Sequence, residues 1–371
     1  MPTKVCYIIS HIDKALAFEW IASTLDKKII SLHFILLNPG DSILEQHLKS
    51  LQIPVKRIQY HSKKDLPLAV LKIFWYLIFN NIKVIHCHLF DACMSGMTAA
   101  WLARVPKRIY TRHYSTNHHD YYPKAVKYDI YINKLATDII AISNKVRAVL
   151  EKFEQVPAYK IHVIHHGFAL QDFAVVDNAK QDAMKLKYGI GNHQPVVGVI
   201  SRYVELKGLQ YIIPAFAAVK KKHPNAFLLL ANCNGDYKSQ VHQLLREYVA
   251  KEDYVEIGFE NDLPTLYSLM DIFIHVPIND TIEAFGQTYI EALASGVPSV
   301  FTLSGVASEF IQDKVNALVV DFKNSTQIEN AINHILSDEK LKNQLILNGK
   351  NSVVEKFSLP LYVEKLTQLY V

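Results

Sequence analysis

The sequence lacks several features that would fix its class at once. Its 371 residues include four cysteines without the paired spacing of a zinc site, so we expect reduced thiols in a cytoplasmic protein. No N-terminal stretch combines a basic region, an apolar core and a small-residue cleavage site, and we therefore expect no secretory signal. The longest apolar run, Leu66 to Phe79, contains Lys72 and is too short to span a bilayer, which predicts a buried or interfacial helix.

Blocks of five or six like charges are also absent, but the charges are unevenly divided along the chain. Residues 1–168 contain 22 Lys and Arg against 12 Asp and Glu, whereas the remainder contains 18 against 23. This asymmetry indicates an anionic partner for the first half, namely a nucleic acid, a membrane surface or a phosphorylated acceptor. The alternative is a soluble domain whose charges are simply dispersed.

Short β-rich runs alternate with helical stretches along the whole chain. They cover residues 4–10, 29–37, 55–60, 84–88, 108–112, 139–143 and 160–165, and then residues 196–201, 226–231, 255–257, 272–276, 299–301 and 317–320. Such alternation predicts an α/β protein with parallel sheets covered by helices.

The polar stretch from Gln171 to Gln194 separates the two series of strands and is the expected linker. We therefore predict a first domain over residues 1–175 and a second over residues 192–357. Two helices are expected near the C-terminus, interrupted at Pro360, with the last helix at about residues 358–371 added to the first domain. In two doubly wound domains, ligands bind at the carboxyl ends of the strands.

Two carboxylates surround a glycine-containing turn in the segment from Glu283 to Pro298, which reads EAFGQTYIEALASGVP. A helix that begins near Gly286 would present unpaired N–H groups to an anion such as a phosphate. Gln287 and Glu291 are then four residues apart and share a helix face. The alternative is an amphipathic helix with two unrelated surface glutamates.

This segment resembles the donor-site motif of the retaining glycosyltransferases of family 4. The resemblance implies a GT-B fold, with two doubly wound Rossmann-like domains facing an inter-domain cleft and a C-terminal helix that crosses back to the first domain. It implies that Glu283 lies near the transferred sugar and that Glu291 holds the ribose of the nucleotide. The residues between them that it assigns to donor binding are Phe285, Gly286, Gln287 and Thr288.

Two cations follow the first strand of the second series, at Arg202 and Lys207-Gly208. Beside a helix start they can neutralise a diphosphate without a metal, although a surface Arg and Lys paired with Glu205 would look the same. In the family, the matching residues bind the donor diphosphate, and backbone at the position of Gly258 meets the nucleobase. The chain has no Asp-x-Asp pair, the usual metal-binding device of other sugar transferases, so we expect neither metal nor cofactor.

The acceptor side is assigned to the first domain, where His113 matches a family histidine that faces the transferred sugar. His88 ends a β-rich run and is expected to line the cleft, and the histidine pairs of the chain are assigned no metal. Where relatives have a Gly-Gly turn, this chain has Asp13-Lys14. Asp13 either binds acceptor hydroxyls or caps the helix that follows it.

These patterns, together with the resemblance, predict a metal-independent hexosyltransferase that moves a sugar from a nucleotide-diphosphate sugar to a hydroxyl acceptor in polysaccharide biosynthesis. Retention of the anomeric configuration is implied by the resemblance alone. The expected partners are the nucleotide sugar and a glycan or lipid-linked acceptor, with peripheral contact to an anionic membrane on its cytoplasmic face. One alternative is an epimerase or a phosphorylase on the same fold. Another is a basic nucleic-acid-binding protein that uses Arg108, Arg112 and the nearby tyrosines.

Overall fold

The computed structural model describes residues 1–175 and 177–371 and divides into two compact units. The first unit consists of Met1–Phe168 and Phe357–Val371, and the second of Ala169–Lys356. Each unit is an α/β layer structure built on one parallel sheet, as the alternating pattern predicts.

The first unit contains a seven-stranded sheet in the order β3-β2-β1-β4-β5-β6-β7. Its strands are β1 Thr3–Ser10, β2 Ile30–Asn38, β3 Val55–Gln59, β4 Val84–His88, β5 Lys107–Arg112, β6 Asp138–Ala141 and β7 Ile161–Val163. All neighbouring pairs are parallel. The central strands are almost continuously apolar because helices cover both faces of such a sheet. Their carboxyl ends meet at one edge, which places His88 and the residues after Arg112 close together.

Eight helices of the described residues belong to this unit. They are α1 Leu16–Thr24, α2 Ile43–Ser50, α3 Leu66–Phe79, α4 Phe90–Leu102, α5 Asn117–Tyr121, α6 Val126–Leu135, α7 Asn144–Lys152 and the C-terminal α16 Leu359–Tyr370. The predicted helix over the apolar run is confirmed as α3. None of the described helices is long and apolar enough to cross a membrane.

The second unit contains a six-stranded parallel sheet in the order β10-β9-β8-β11-β12-β13. Its strands are β8 Val196–Ile200, β9 Phe227–Ala231, β10 Tyr254–Ile257, β11 Ile272–His275, β12 Ser299–Phe301 and β13 Leu318–Val319. Its helices are α8 Gln171–Ala174, α9 Asn178–Lys187, α10 Leu209–Lys222, α11 Lys238–Tyr248, α12 Leu263–Ser268, α13 Gln287–Ala294, α14 Ser325–Ser337 and α15 Glu339–Phe357. Each predicted β-rich run overlaps one of the thirteen strands of the two sheets.

The C-terminal region breaks where the proline predicts. Helix α15 ends at Phe357, and α16 begins after Ser358 with Pro360 in its first turn. Helix α16 packs on α1, and the hydroxyl groups of Tyr370 and Tyr7 are hydrogen-bonded to each other in the core of the first unit. An isolated parallel β-bridge joins Phe168 to Ser358, where the chain re-enters the first unit. The C-terminal helix is therefore part of the first unit.

The stretch that we expected to be a linker contains α8 and α9 and belongs to the second unit. Its polar composition hides three buried apolar anchors, Phe173, Met184 and Ile190. The side chain of Gln181 also donates to the carbonyl of Ser268 over 2.7 Å. A polar segment with few buried residues resembles a linker in sequence, and only these tertiary contacts identify it as folded structure.

Candidate functional site

A left-handed glycine positions the first cation of the second unit. After β8 the chain makes a short 3₁₀ turn over Glu205–Lys207 and reaches Gly208, which has a φ of 80°. A Cβ atom at Gly208 would lie 2.2 Å from the carbonyl oxygen of Val276, so only glycine fits between the turn and the residue that follows β11. This close approach brings Lys207 to the carboxyl end of β11.

Lys207, His275 and Glu283 form one cluster at this edge of the sheet. The ammonium group of Lys207 is paired with Oε1 of Glu283, and Nε2 of His275 lies 3.0 Å from the same oxygen. Because a carboxylate can only accept a hydrogen bond, the Nε2 atom of His275 carries the ring hydrogen and is the donor. The backbone N–H of Glu283 donates to Oγ of Ser304 over 3.2 Å, which fixes the residue from its other side.

Electrostatics keep Glu283 ionised although it is mostly buried. Burial on its own would raise the pKa of Glu283, but attraction to Lys207 and the hydrogen bond from His275 outweigh it and hold the pKa well below its usual range. Burial lowers the pKa of His275, and the Glu283 carboxylate offsets only part of that effect. The cluster is therefore an ammonium and a carboxylate held by a neutral imidazole.

Helix α13 begins directly after this carboxylate. Its N-cap is Gly286, with a φ of 92° and no side chain to satisfy the first N–H groups of the helix. A Cβ atom there would lie 2.5 Å from the Tyr289 ring. Phe285 is buried, and Gln287 is exposed. Oγ1 of Thr288 is buried without a hydrogen-bond partner in the described part of the chain. The start of α13 has the unpaired donors that an anion requires.

Glu291 lies about one turn into the same helix in a different environment. It is buried, and its Oε2 accepts a hydrogen bond of 3.0 Å from the Tyr267 hydroxyl. Burial raises the pKa of Glu291 to about 7, and the bond from Tyr267 offsets this only in part. The two glutamates of the motif thus have opposite pKa shifts, because Glu283 has a cationic partner and Glu291 has a neutral one.

The other residues assigned to donor binding lie at the surface. Arg202 is exposed and forms no ion pair within the part of the chain that the structure describes. Gly258 is exposed, and its carbonyl accepts from the side chain of Asn234 over 3.3 Å. The alternative of an Arg and Lys pair on Glu205 is wrong for Lys207, which is paired with Glu283.

Sequence inspection missed His275. It ends the apolar strand β11, and a polar residue at the carboxyl end of a buried strand is the signal that would have identified it. The strand itself was predicted, but its last polar side chain was not considered as a site residue.

In the first unit, His88 and His113 do come together. Nδ1 of His88 lies 3.0 Å from Nε2 of His113, and the His113 ring stacks on His166 with centroids 5.5 Å apart. His88 is buried, and its Nε2 has no hydrogen-bond partner among residues 1–175 and 177–371. Burial lowers the pKa of His113 to about 4, so this imidazole is neutral near pH 7. Among the described residues, no group of three or more His, Cys, Asp or Glu could hold a metal ion.

Acidification should destabilise the protein through this cluster. Burial lowers the pKa of His86 to about 3 and lowers that of His88 well below its usual value. Below about pH 6.5 the unfolded chain binds protons that the folded chain excludes, so each histidine should cost about 2 kcal/mol of stability at pH 5. Melting temperatures measured from pH 7.5 down to pH 5 should fall.

The variant His86→Gln provides the matched comparison for that titration. Glu291 acts in the opposite sense, because its raised pKa removes stability as pH rises from about 4.5 to about 7. The difference in melting temperature between wild type and variant at each pH gives the contribution of His86. The melting temperature of the variant should fall less on acidification than that of the wild type. Parallel curves for the two proteins would contradict a buried neutral His86.

Asp13, in the Asp13-Lys14 turn, bonds a helix other than the one that follows it. Oδ1 of Asp13 accepts from the backbone N–H of Ile43 over 3.1 Å, so this carboxylate bonds the first residue of α2. The expectation that Asp13 caps the helix directly after it is wrong, because the N-cap of α1 is Ala15 without a side-chain bond. Lys14 is exposed.

A groove of about 870 Å³ opens at the carboxyl ends of β1 and β4 in the first unit. It combines aromatic rings with ammonium groups, and its lining includes Phe90, Tyr122, Tyr128, Lys63, Lys124 and Lys127. Such a lining suits a ligand that has both an anionic and an apolar part.

Beside the groove, a buried ionic network holds the loop that follows β5. The Arg112 guanidinium contacts Glu154 at 2.5 Å and Asp129 at 3.4 Å, and it stacks on the Tyr114 ring. Arg112 is only 1% exposed, and Arg108 donates to two backbone carbonyls. The proposal that Arg112 contacts a nucleic acid is therefore wrong, because its guanidinium is inside the protein.

Comparison with known proteins gives consistent matches in both halves of the chain. Residues 180–352 match the family Glycosyl transferases group 1, and residues 21–172 match Glycosyltransferase Family 4. An uncharacterized glycosyltransferase of Methanocaldococcus jannaschii is 25% identical over 304 residues, which are 78% of this chain and 75% of that protein.

Two further relatives have more specific descriptions. The UDP-Gal:α-D-GlcNAc-diphosphoundecaprenol α-1,3-galactosyltransferase of Escherichia coli is 21% identical over 344 residues, which are 90% of this chain and 86% of that protein. The crystal structure of Anabaena HepE in complex with UDP-glucose has a TM-score of 0.83 at 21% identity, covering 98% of both chains. The likeness to HepE shows the fold.

Proposed function

The chain is a glycosyltransferase that belongs to family 4 and has the GT-B fold, and we propose that it transfers a sugar from a nucleoside diphosphate sugar to a hydroxyl acceptor with retention and without a metal. The single observation that carries this proposal is the Lys207–Glu283–His275 cluster next to the uncapped start of α13. It supplies a cation, an anion and free N–H donors within one short region of the second unit.

Lys207 and Arg202 would neutralise the donor diphosphate. An ammonium group has three N–H donors, and Glu283 takes one of those of Lys207, which leaves two for phosphate oxygens. Arg202 is exposed and adds a planar fork of donors. The first N–H groups of α13 would complete the site, so that charge developing on the leaving diphosphate is stabilised by groups already in place.

Glu283 would act on the sugar. Its carboxylate is ionised and held by His275, and a fixed negative charge next to the anomeric carbon favours an oxocarbenium-like transition state. Glu291 would hold the ribose hydroxyls, and the backbone at Gly258 would meet the nucleobase. Retention, like these last two roles, is proposed from membership of the family.

The acceptor would bind in the first unit. The groove lined by Phe90, Tyr128 and three lysines suits a glycan attached to an anionic lipid carrier. The Escherichia coli relative is named for such a lipid-diphosphate acceptor, and this supports polysaccharide or lipid-linked oligosaccharide assembly as the role of the chain. His113 and His88 would orient the sugar, and Lys14 would contact acceptor oxygens.

The proposal is tested first by donor binding. A panel of nucleoside diphosphate sugars should include one that raises the melting temperature, because a ligand that binds only the folded state stabilises it. Arg202→Ala should weaken that ligand at least about tenfold without changing the stability of the free protein, since Arg202 is exposed and forms no ion pair among the described residues. Arg246→Ala, an exposed arginine on α11, is the matched control.

If no nucleotide sugar shifts the melting temperature, or if both arginine variants bind alike, the assigned site is wrong. Turnover of a nucleotide sugar without any acceptor would identify an epimerase instead. Product formation that persists in excess EDTA is the expected result for a metal-independent transfer, and loss of activity that magnesium or manganese restores would contradict it.

A further inference from the structure

One face of α3 in the first unit is apolar and exposed. Ala69, Ile73 and Leu77 form its buried side. The opposite side consists of Leu68, Leu71, Trp75, Ile78 and Phe79, and exposure of this last ring reaches 78%. Trp101 and Leu102, at the end of the neighbouring helix α4, are each at least half exposed and extend the patch. A contiguous group of seven exposed apolar side chains marks an interaction surface.

Positive charge accompanies this patch. Between Asp65 and Asp120 the sequence contains one acidic residue, Asp91, and six Lys or Arg, of which Arg112 is buried in its ion pairs and does not contribute to the surface charge. Asp91 lies in the first turn of α4, at the opposite end from Trp101. Lys72, Lys83 and Arg104 are exposed, and Lys72 follows Leu68 by four residues and precedes Trp75 by three, so it lies within the apolar stripe itself.

We propose that the exposed face of α3, together with Trp101 and Leu102, binds the surface of an anionic lipid bilayer. Fourteen residues span about 21 Å, less than the ~30 Å hydrocarbon core, so α3 would lie in the plane of the interface. Tryptophan and apolar side chains enter the boundary between headgroups and acyl chains, while lysine and arginine contact lipid phosphates.

The central lysine favours lipid over a second copy of the chain. In a protein interface Lys72 would need a carboxylate partner, because an unpaired buried charge is costly. In a two-fold dimer the same face would meet itself, and this face has no Asp or Glu over the whole of α3. At a bilayer, Lys72 can instead place its ammonium group among phosphates while its methylene groups lie on the apolar surface.

The position of the patch also fits the acceptor groove. Lys63 lines the groove and lies three residues before the start of α3. A lipid-linked acceptor held in the groove would then have its lipid next to the bound bilayer, a step that rests on the proposed function. The binding of α3 to lipid does not depend on it.

Flotation with liposomes tests the surface. The protein should float with vesicles of phosphatidylcholine and phosphatidylglycerol, and not with phosphatidylcholine alone, and high salt should release it. The double variant Trp75→Ser/Phe79→Ser should reduce the bound fraction at least about tenfold. Phe153→Ser/Tyr159→Ser removes two aromatic side chains that are exposed elsewhere on the first unit and should float like the wild type.

Tryptophan fluorescence gives a second readout. Two of the three tryptophans, Trp75 and Trp101, belong to the patch, whereas Trp20 is partly buried and packs near Phe168. Emission should shift to shorter wavelength on vesicle addition and be quenched by brominated lipids. No flotation, unchanged flotation of the Trp75/Phe79 variant, or a wild-type dimer that this variant converts to a monomer would overturn the proposal.

The rise in melting temperature with nucleotide sugars tests the proposed function independently of lipid binding. The patch variant should retain the donor-induced shift of the wild type, because no patch residue belongs to the second unit. A protein that floats but binds no nucleotide sugar would refute the proposed function and leave the lipid-binding surface intact.

Discussion

Replacing Glu283 with glutamine is expected to lower kcat/KM for sugar transfer by about 10³-fold. The amide keeps the size of the side chain but removes the fixed negative charge near the anomeric carbon. The Oε1 atom of Glu283 also accepts from both Lys207 and His275, so the amide loses the charge that holds these two partners. Initial rates of product formation at several donor concentrations would measure the loss.

The control for this prediction is Glu252→Gln, an exposed glutamate in the same unit. It should transfer sugar at the wild-type rate. Circular dichroism and the donor-induced shift in melting temperature would verify that Glu283→Gln is folded and still binds the nucleotide. A Glu283→Gln enzyme with more than about a tenth of wild-type kcat/KM would contradict an electrostatic role for this carboxylate.

Lys207→Ala should destabilise the protein by about 3 kcal/mol, in addition to impairing transfer. Glu283 is mostly buried, and Lys207 is the main reason that its pKa stays low. Without the ammonium group, the site contains a buried carboxylate whose remaining partner is a neutral imidazole. The free energy of unfolding from urea titration at pH 7 would measure this loss.

The double variant Lys207→Ala/Glu283→Gln shows whether Lys207→Ala loses stability through a lost contact or through an unpaired buried carboxylate. If the cost arises from the unpaired carboxylate, then neutralising it should restore more than half of the stability that Lys207→Ala removes. Additive losses would show instead that the two side chains stabilise the fold independently. The double variant should be inactive in either case, so stability and activity would separate.

The fold could be predicted from the sequence because its signals are local. Apolar runs of strand length, alternating with helices, indicate each strand of the two sheets within about two residues of its observed ends. The break before Pro360 and the helix Leu66–Phe79 follow from equally local rules. The linker prediction for residues 171–194 failed because the structure of this segment depends on Phe173, Met184 and Ile190, three buried residues in an otherwise polar stretch.

The candidate site could be predicted only in part from the sequence. The spacing of Glu283 and Glu291 identified the motif, but it gave no information on their partners, Lys207 and Tyr267, which leave the two carboxyl groups with opposite pKa shifts. Arg112 looked like a surface cation because the sequence does not show that Asp129 and Glu154 enclose it. Such pairings join residues far apart in the chain and follow from the sheet order.

The central claim is that Lys207, Arg202 and the start of α13 bind the diphosphate of a nucleotide sugar. The most direct measurement is a crystal structure with the nucleoside diphosphate that gives the largest rise in melting temperature. We predict that phosphate oxygens lie within hydrogen-bonding distance of the Lys207 ammonium group, the Arg202 guanidinium and the first N–H groups of α13. A nucleotide bound elsewhere, with Lys207 in contact with Glu283 alone, would contradict the account.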